Sequence, residues 1–403
     1  VSSKPLAFLP EEMIVPMGSS WVQAVYPTDI LLKQYHENAR FDSLKAWLHE
    51  LIHKEGYSLH AKMCMFWHNH FAVKSTDDSR ATYDYFELIR ENAFGNIKQL
   101  VKDMSVNPAM LVFLNGIENN KDVPNENFSR ELLEMYTIGK GPQIGPGDYT
   151  NYTEQDILQG AKILTGWTAE GFLSDTFNKV SATFNSSLHD SNSKQLSDKF
   201  DNQLVQNAGA QEYANYIDII FDQFETARFM SRNIYNWFVN YDLTPAVESE
   251  IITQMATSLV ANNYNIQPVI RELLESEHFY DVTLRGTLIK NPLEHIFSIL
   301  NATSANTDFD ILNTNYRLYL QIASASSIMG MNYMQPPSVA GWKAYYQAPN
   351  YTKLWVNASY IKLRMDMSSY LTKFGGFTLD GLQLGVNHLV FLDGLSQPNN
   401  AIQ

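Results

Sequence analysis

Three times in this chain a helix-capping residue stands directly before a proline, at Asn107-Pro108, Thr244-Pro245 and Asn291-Pro292. The capping side chain satisfies free N–H groups of a first turn, and proline has no N–H to lose at the first helical position, so each pair marks a helix start. Thr153 with Asp156 adds a capping-box-like start, followed by Ile157, Leu158, Ala161 and Leu164 at the spacing of one buried helical stripe. Residues 28–54, 58–73, 79–104, 209–240, 246–261, 265–276, 292–301, 307–330 and 355–372 also read as helical. Together they predict an all-α protein: a large helical domain over 28–375, with an extended segment at 1–27 before it and a tail at 376–403 after it.

One region breaks the helical pattern. Around 139–205, the run Gly139-Lys-Gly-Pro-Gln-Ile-Gly-Pro-Gly147 and a Ser/Asn/Asp-rich stretch near 185–201 flank a single helix, predicting a long irregular insertion. Lys179–Phe184 has the β-branched and aromatic residues of one hairpin strand, with Ser187 to Ser193 as the expected turn. Loops this long in compact proteins often serve as lids or binding loops. Gly139-x-Gly141 does not make a phosphate loop, because Pro142 and Pro146 interrupt it and no Gly-Lys-Ser/Thr follows. No Gly-x-Ser-x-Gly nucleophile elbow occurs either.

With 45% hydrophobic residues and 13% aromatics, the chain has ample material for a core and is not a disordered sequence. Its net charge of −14, with no Lys/Arg-rich run, argues against nucleic acid as a partner. Cys64 is the single cysteine, so an intrachain disulfide and a Cys-based metal cluster are both excluded; it is expected to pack as a small buried hydrophobe. No apolar stretch approaches the roughly 18 residues of a transmembrane helix. The opening Val-Ser-Ser-Lys-Pro, without an initiator Met or a signal-peptide core, fits a chain whose leader was removed, which permits export.

Two segments carry chemistry. Met65-Phe-Trp-His-Asn-His-Phe-Ala72 sets two imidazoles among large hydrophobes, where polar groups must find partners. On one helix His68 and His70 lie about 200° apart, so one metal could receive both only if the helix ended or distorted there. The competing reading is two structural histidines bonded between helices.

The second segment is Pro124–Gly139, read as a helix. Glu126, Arg130, Glu134, Asn127 and Glu131 fall within one arc of about 140°, opposite Phe128, Leu132, Met135 and Tyr136. A solvated face with Glu126–Arg130 and Arg130–Glu134 pairs is the plain reading. The functional reading takes Glu131 and Glu134, one turn apart, as carboxylates that push each other's pKa values apart or share a proton or cation. His189 in Leu188-His-Asp190 is expected to come over that face from the insertion, and Gln335–Trp342 is expected to be a rigid turn presenting an indole.

In sequence order, Phe66–Ala72, Arg90–Asn96, Asn107–Met110, Pro124–Glu134, Leu164–Trp167, His189-Asp190 and Pro336–Trp342 resemble the bacterial "domain of unknown function 1800" family across about 60–370. The resemblance implies an exported helical protein, often encoded beside a sulfatase-like "domain of unknown function 1501" protein, and supplies no established reaction. Two departures stand out: the family's N-terminal helical segment is not recognisable in 1–27, and Tyr136 stands where many relatives carry His, which weakens a Glu-x-x-Glu-x-His metal site.

Two functional readings follow. The first is an exported hydrolase of a glycan or similar polymer, with Glu131, Glu134 and His70 catalytic and Trp67, His68, Asn125, Glu126, Arg130, Trp167, His189 and Asp190 binding. No cofactor is expected, although a divalent metal on His68, His70, Glu131, Glu134, His189 or Asp190 is a variant of this reading. The second is a non-catalytic envelope protein working with a sulfatase-like partner, its charged groups forming a buried polar network.

Overall fold

The computed structural model describes residues 2–384 and 390, apart from 57, 306, 308, 310, 343–350, 374, 375 and 380. The described chain is mainly α-helical, as the capping pattern predicts. Its first half runs through α1 (Ile30–Lys54), α2 (Leu59–Phe71), α3 (Ser79–Glu91), α4 (Ile97–Ser105), α5 (Pro108–Phe113), α6 (Glu126–Glu131) and α7 (Glu154–Ile163). Strands β1 (Trp167–Glu170), β2 (Ser181–Phe184), β3 (Lys194–Gln195) and β4 (Leu204–Val205) follow. The second half comprises α8 (Glu212–Asp222), α9 (Phe224–Phe238), α10 (Pro245–Val247), α11 (Thr253–Ala261), α12 (Ile266–Glu275), α13 (Pro292–Ala302), α14 (Leu312–Ile328), α15 (Ala358–Lys373) and the short pair β5 (Thr378–Leu379) and β6 (Leu382–Gln383). Beyond Leu384 and outside Val390, the expected tail lies outside the described residues.

The cap–proline pairs start α5, α10 and α13, and Thr153 with Asp156 forms a reciprocal capping box on α7. Two of the longer expected helices are broken. The 79–104 segment stops after Glu91 and restarts at Ile97, because Asn96 caps a new first turn by accepting from the Gln99 N–H. The 209–240 segment divides at Gln223, whose backbone is extended.

Residues before α1 are irregular yet belong to the core: Ala7, Phe8, Trp21 and Tyr26 are all buried. They explain why α1 buries polar side chains. Trp21 donates to Ser43 Oγ at 2.8 Å, Ser43 donates to the Leu6 carbonyl at 2.7 Å, and Trp47 donates to the Ser2 carbonyl at 2.9 Å. Arg40 pairs with Glu12 at 2.6 Å and stands 4.2 Å from the Tyr26 ring centroid, while Arg80 approaches the same ring at 4.6 Å. Tyr26 donates to Glu37 at 2.5 Å. A tyrosine between two guanidiniums, its hydroxyl on a carboxylate, clamps the N-terminal segment to α1 and α3.

The insertion contains the expected strand, with a different partner. β2 pairs antiparallel with β1, which precedes it, so the turn spans residues 171–180 and not Ser187 to Ser193. Gly171 permits this turn: its φ is +93°, and a Cβ there would lie 2.4 Å from the Lys179 carbonyl oxygen.

Candidate functional site

The His-Asn-His segment closes α2, and its three consecutive side chains reach three different parts of the chain. His68 is fully buried; its Nε2–H donates to the Tyr333 carbonyl at 2.5 Å and its Nδ1 accepts from the Tyr85 hydroxyl at 2.8 Å. Asn69 Oδ1 accepts from the Trp342 N–H at 3.0 Å. The preceding Gly341, at φ +72°, leaves no room for a side chain, since a Cβ would sit 2.4 Å from both the carbonyl and the side-chain oxygen of Asn69. His70 donates from Nε2 to the Tyr136 carbonyl at 3.2 Å. Burial pushes His68 down to about 3 and His70 down to about 4, so both imidazoles are uncharged at neutral pH.

Against His70 packs the end of the second segment. Glu126–Glu131 is α-helical, but Leu132–Thr137 widens into a π-helix. Thr137 Oγ1 donates to the Leu132 carbonyl at 2.5 Å, and the Gly139 N–H donates to the Leu133 carbonyl at 2.9 Å. Gly139 itself is fixed at φ +76°, with the Phe229 ring 2.2 Å from where a Cβ would stand. The wider turn shifts Glu134 out of the register expected from 100° per residue. Arg130 meets Glu126 at 3.3 Å but reaches across to Glu154 on α7, with bonds of 3.0 and 2.9 Å. Glu134 accepts from Tyr152 at 3.2 Å and lies 3.8 Å from Lys140.

Glu134 and His70 line one cleft of about 250 Å³, together with Asn69, Lys140, Arg232, Asn233, Asn236, Trp237 and Tyr241. Arg232 is held by two carboxylates, Glu248 Oε1 at 2.6 Å and Glu225 Oε1 at 2.6 Å. Glu248 opens a second π turn, Glu248–Ile252. The α9 contribution was not singled out from sequence, although Arg232, Asn233, Asn236 and Trp237 recur at helical spacing on one stripe.

Glu131 is not among the residues that line the cleft. It is half-buried, has no hydrogen-bond partner among the described residues, and is pushed up to about 7 by burial and by the charge of Glu134, with Arg130 opposing. Tyr136, which interacts electrostatically with Glu131, is buried with no partner for its hydroxyl. An unsatisfied buried hydroxyl costs about 1–3 kcal/mol. Tyr136→Phe is therefore expected to raise stability by roughly 1 kcal/mol in urea denaturation; a loss of that size would show that the hydroxyl is satisfied after all.

The other expected site residues lie elsewhere. Trp67 is fully buried and donates to the Ala93 carbonyl at 3.1 Å; Asn125 caps α6; Glu126 and Arg130 form an outer ion-paired face. The Trp342 indole is buried and stacks on Tyr333, so the 335–342 turn does not present it. His189 does not cover the Glu126–Glu134 face. It donates from Nδ1 to the Thr165 carbonyl at 2.9 Å and meets Glu212 at 3.0 Å, while Glu212 also pairs with the fully buried Lys194. Asp190 caps its own loop by accepting from the Asn192 N–H at 2.8 Å, and Trp167 packs on Phe184 and Tyr213. The six candidate metal ligands therefore do not converge, and no three His, Cys, Asp or Glu side chains do so among the described residues. No helix among them is long and apolar enough to cross a membrane.

Residues 17–401 match the model of a family described as a protein of unknown function, DUF1800. No curated protein and no solved structure matches the chain.

Proposed function

We propose, for a chain that belongs to the DUF1800 family over nearly its whole length, that the cleft between α2, the π-helical Leu132–Thr137 and α9 binds a glycan or similar polyhydroxylated polymer outside the cytoplasm and hydrolyses it. One observation carries this reading: a carboxylate, Glu134, shares a single cleft with a neutral imidazole, three Asn amides, a fixed guanidinium and an indole. Amides and charged groups read sugar hydroxyls, and the Trp237 indole, buried but lining the cleft, gives a small apolar surface beside them. Acid/base work falls to Glu134, with Glu131 as the neighbouring carboxyl that still holds a proton near neutral pH. His70 is uncharged and its one N–H is committed to Tyr136, so its part is to fix the π turn and accept a hydrogen bond, not to donate a proton.

The test is a panel of envelope and plant glycans scored for binding and for release of reducing ends, with the parent, Glu134→Gln and Glu131→Gln. Glu134→Gln is expected to lower turnover by roughly 10²–10⁴-fold while melting and binding hold. Equal turnover in parent and variant would sink the hydrolase reading.

A second reading has one observation in its favour. Glu134 is the single carboxylate among the described residues lining the cleft, whereas glycosidases ordinarily flank the bond with two. A parent protein that retains a glycan without cleaving it would favour a non-catalytic binding role.

A further inference from the structure

Behind the polar cleft lies a larger, apolar cavity of about 390 Å³, lined by Met65, Phe238, Leu274, Phe279, Ile289 and Phe297 from α2, α9, α12, α13 and the segments between them. Its volume is within the roughly 300–1,000 Å³ of small-molecule sites. The two cavities share a wall: Asn236, Trp237 and Tyr241 face both. At the mouth of the apolar one, Lys62 pairs with Glu294 and lies 5.0 Å over the Trp237 ring. Asn236 is the telling residue. It is 9% exposed, stands at the junction, and its Oδ1 is buried with no hydrogen-bond partner. A buried carbonyl left without a donor is costly, and a ligand hydroxyl passing from one cavity to the other would satisfy it.

We propose that the two cavities are halves of one site whose ligand is an amphiphile, a saccharide carrying a hydrocarbon chain. The sugar occupies the cleft of Glu134 and His70, the chain enters the apolar cavity, and a hydroxyl near their junction donates to Asn236. This rests on the reading of the polar cleft as a glycan site, and adds what is attached to the glycan.

The experiment is calorimetry with methyl, butyl, hexyl and octyl glucosides and the matching free alcohols, all below their micelle concentrations. Burial of each methylene improves affinity by roughly fourfold, so Kd is expected to fall by up to about 16-fold per two-carbon step until the cavity is full. Two cavity-filling variants, Ser298→Phe on the half-buried wall and Leu59→Trp at the exposed rim, should each flatten the series, and thermal melting verifies that they fold. A flat series in the parent, with methyl glucoside bound, would overturn the inference while leaving the glycan reading in place. An unchanged slope in both variants would overturn it too, by placing the chain elsewhere. Free alcohols binding as tightly as the glucosides of equal chain length would sink the glycan reading, and the amphiphile with it.

Discussion

Arg80→Ala is expected to cost about 3–5 kcal/mol of folding stability, the loss typical of breaking a buried ion pair by removing one partner. Arg80 and Asp78 are both buried, and the guanidinium holds the carboxylate at 3.0 and 2.6 Å. The same fork donates to the carbonyls of Ala24, Phe177 and Gly171, at 3.2, 2.7 and 2.8 Å. Truncation therefore strands the Asp78 charge and the Phe177 carbonyl, and leaves the Ala24 and Gly171 carbonyls only their weaker bonds from Arg40 at 3.3 Å and the Ser174 N–H at 3.2 Å. Lysine should rescue little, because a point ammonium cannot serve a planar set of acceptors. Urea denaturation of the parent, Arg80→Ala and Arg80→Lys reads this directly, and a loss below about 1 kcal/mol in the alanine variant would refute it.

The second large effect is on pH dependence. Burial holds His49 and His70 at about 4 and His68 at about 3. Their unfolded values are near 6.5, so below that pH the unfolded chain takes up protons that the folded one refuses, and stability falls as pH falls, by on the order of 3 kcal/mol for each histidine. Glu37 works the other way. Burial pushes it up to about 7, against the hydrogen bonds from Ser79 and Tyr26 that favour its charge. The folded state keeps a proton there that the unfolded state releases above about 4.5, so this stability is present in acid and is lost as pH rises to 7. Glu131, also near 7, acts in the same direction. Between about pH 4.5 and 6.5 two carboxyls oppose three histidines, so stability falls by only about 1.4 kcal/mol per unit as pH drops; just below that range the histidines act alone and the fall is about three times steeper, until His49 and His70 themselves take up protons near 4. Glu37→Gln exposes the cancellation. Relative to this variant, the parent should lose about 3 kcal/mol between pH 4.5 and 7, and parallel profiles would rule the assignment out.

Local signals in the sequence were reliable guides to local structure. The pairs at Asn107, Thr244 and Asn291 each begin a helix because a cap and a proline act within one turn and need nothing distant. The histidines of α2 were recognisable as groups needing partners, yet the partners of His68 and His70, namely Tyr333, Tyr85 and Tyr136, are scattered along the chain. Glu131 and Glu134 were visible as a pair, whereas the π turn between them was not, since Thr137 and Gly139 create it through bonds that a helical wheel does not encode. Arg130 was expected to pair with Glu126 and Glu134 on its own helix; it keeps Glu126 at 3.3 Å, and Glu154 of α7 takes the place of Glu134. His189 had no periodic pattern to place it, and its position was decided by Glu212, a residue no motif had marked.

The reach of Asn69 to Trp342 has a consequence for the order of assembly. These two residues are 273 positions apart, and His68 bridges 265 to Tyr333. A chain emerging from synthesis with residues up to 330 in hand has already made Glu131, Glu134 and all of α9, but lacks Tyr333 and Trp342, the distant partners of His68 and Asn69. Contacts so distant in sequence form late, after most of the loop-closure entropy has been lost elsewhere. Until then the His68 imidazole and the Asn69 amide lack their distant partners, and the aromatic surface that Tyr333 and Trp342 cover is open, in a species prone to aggregate. Arrival of Tyr333 and Trp342 is thus what completes the wall that α2 gives to the cleft.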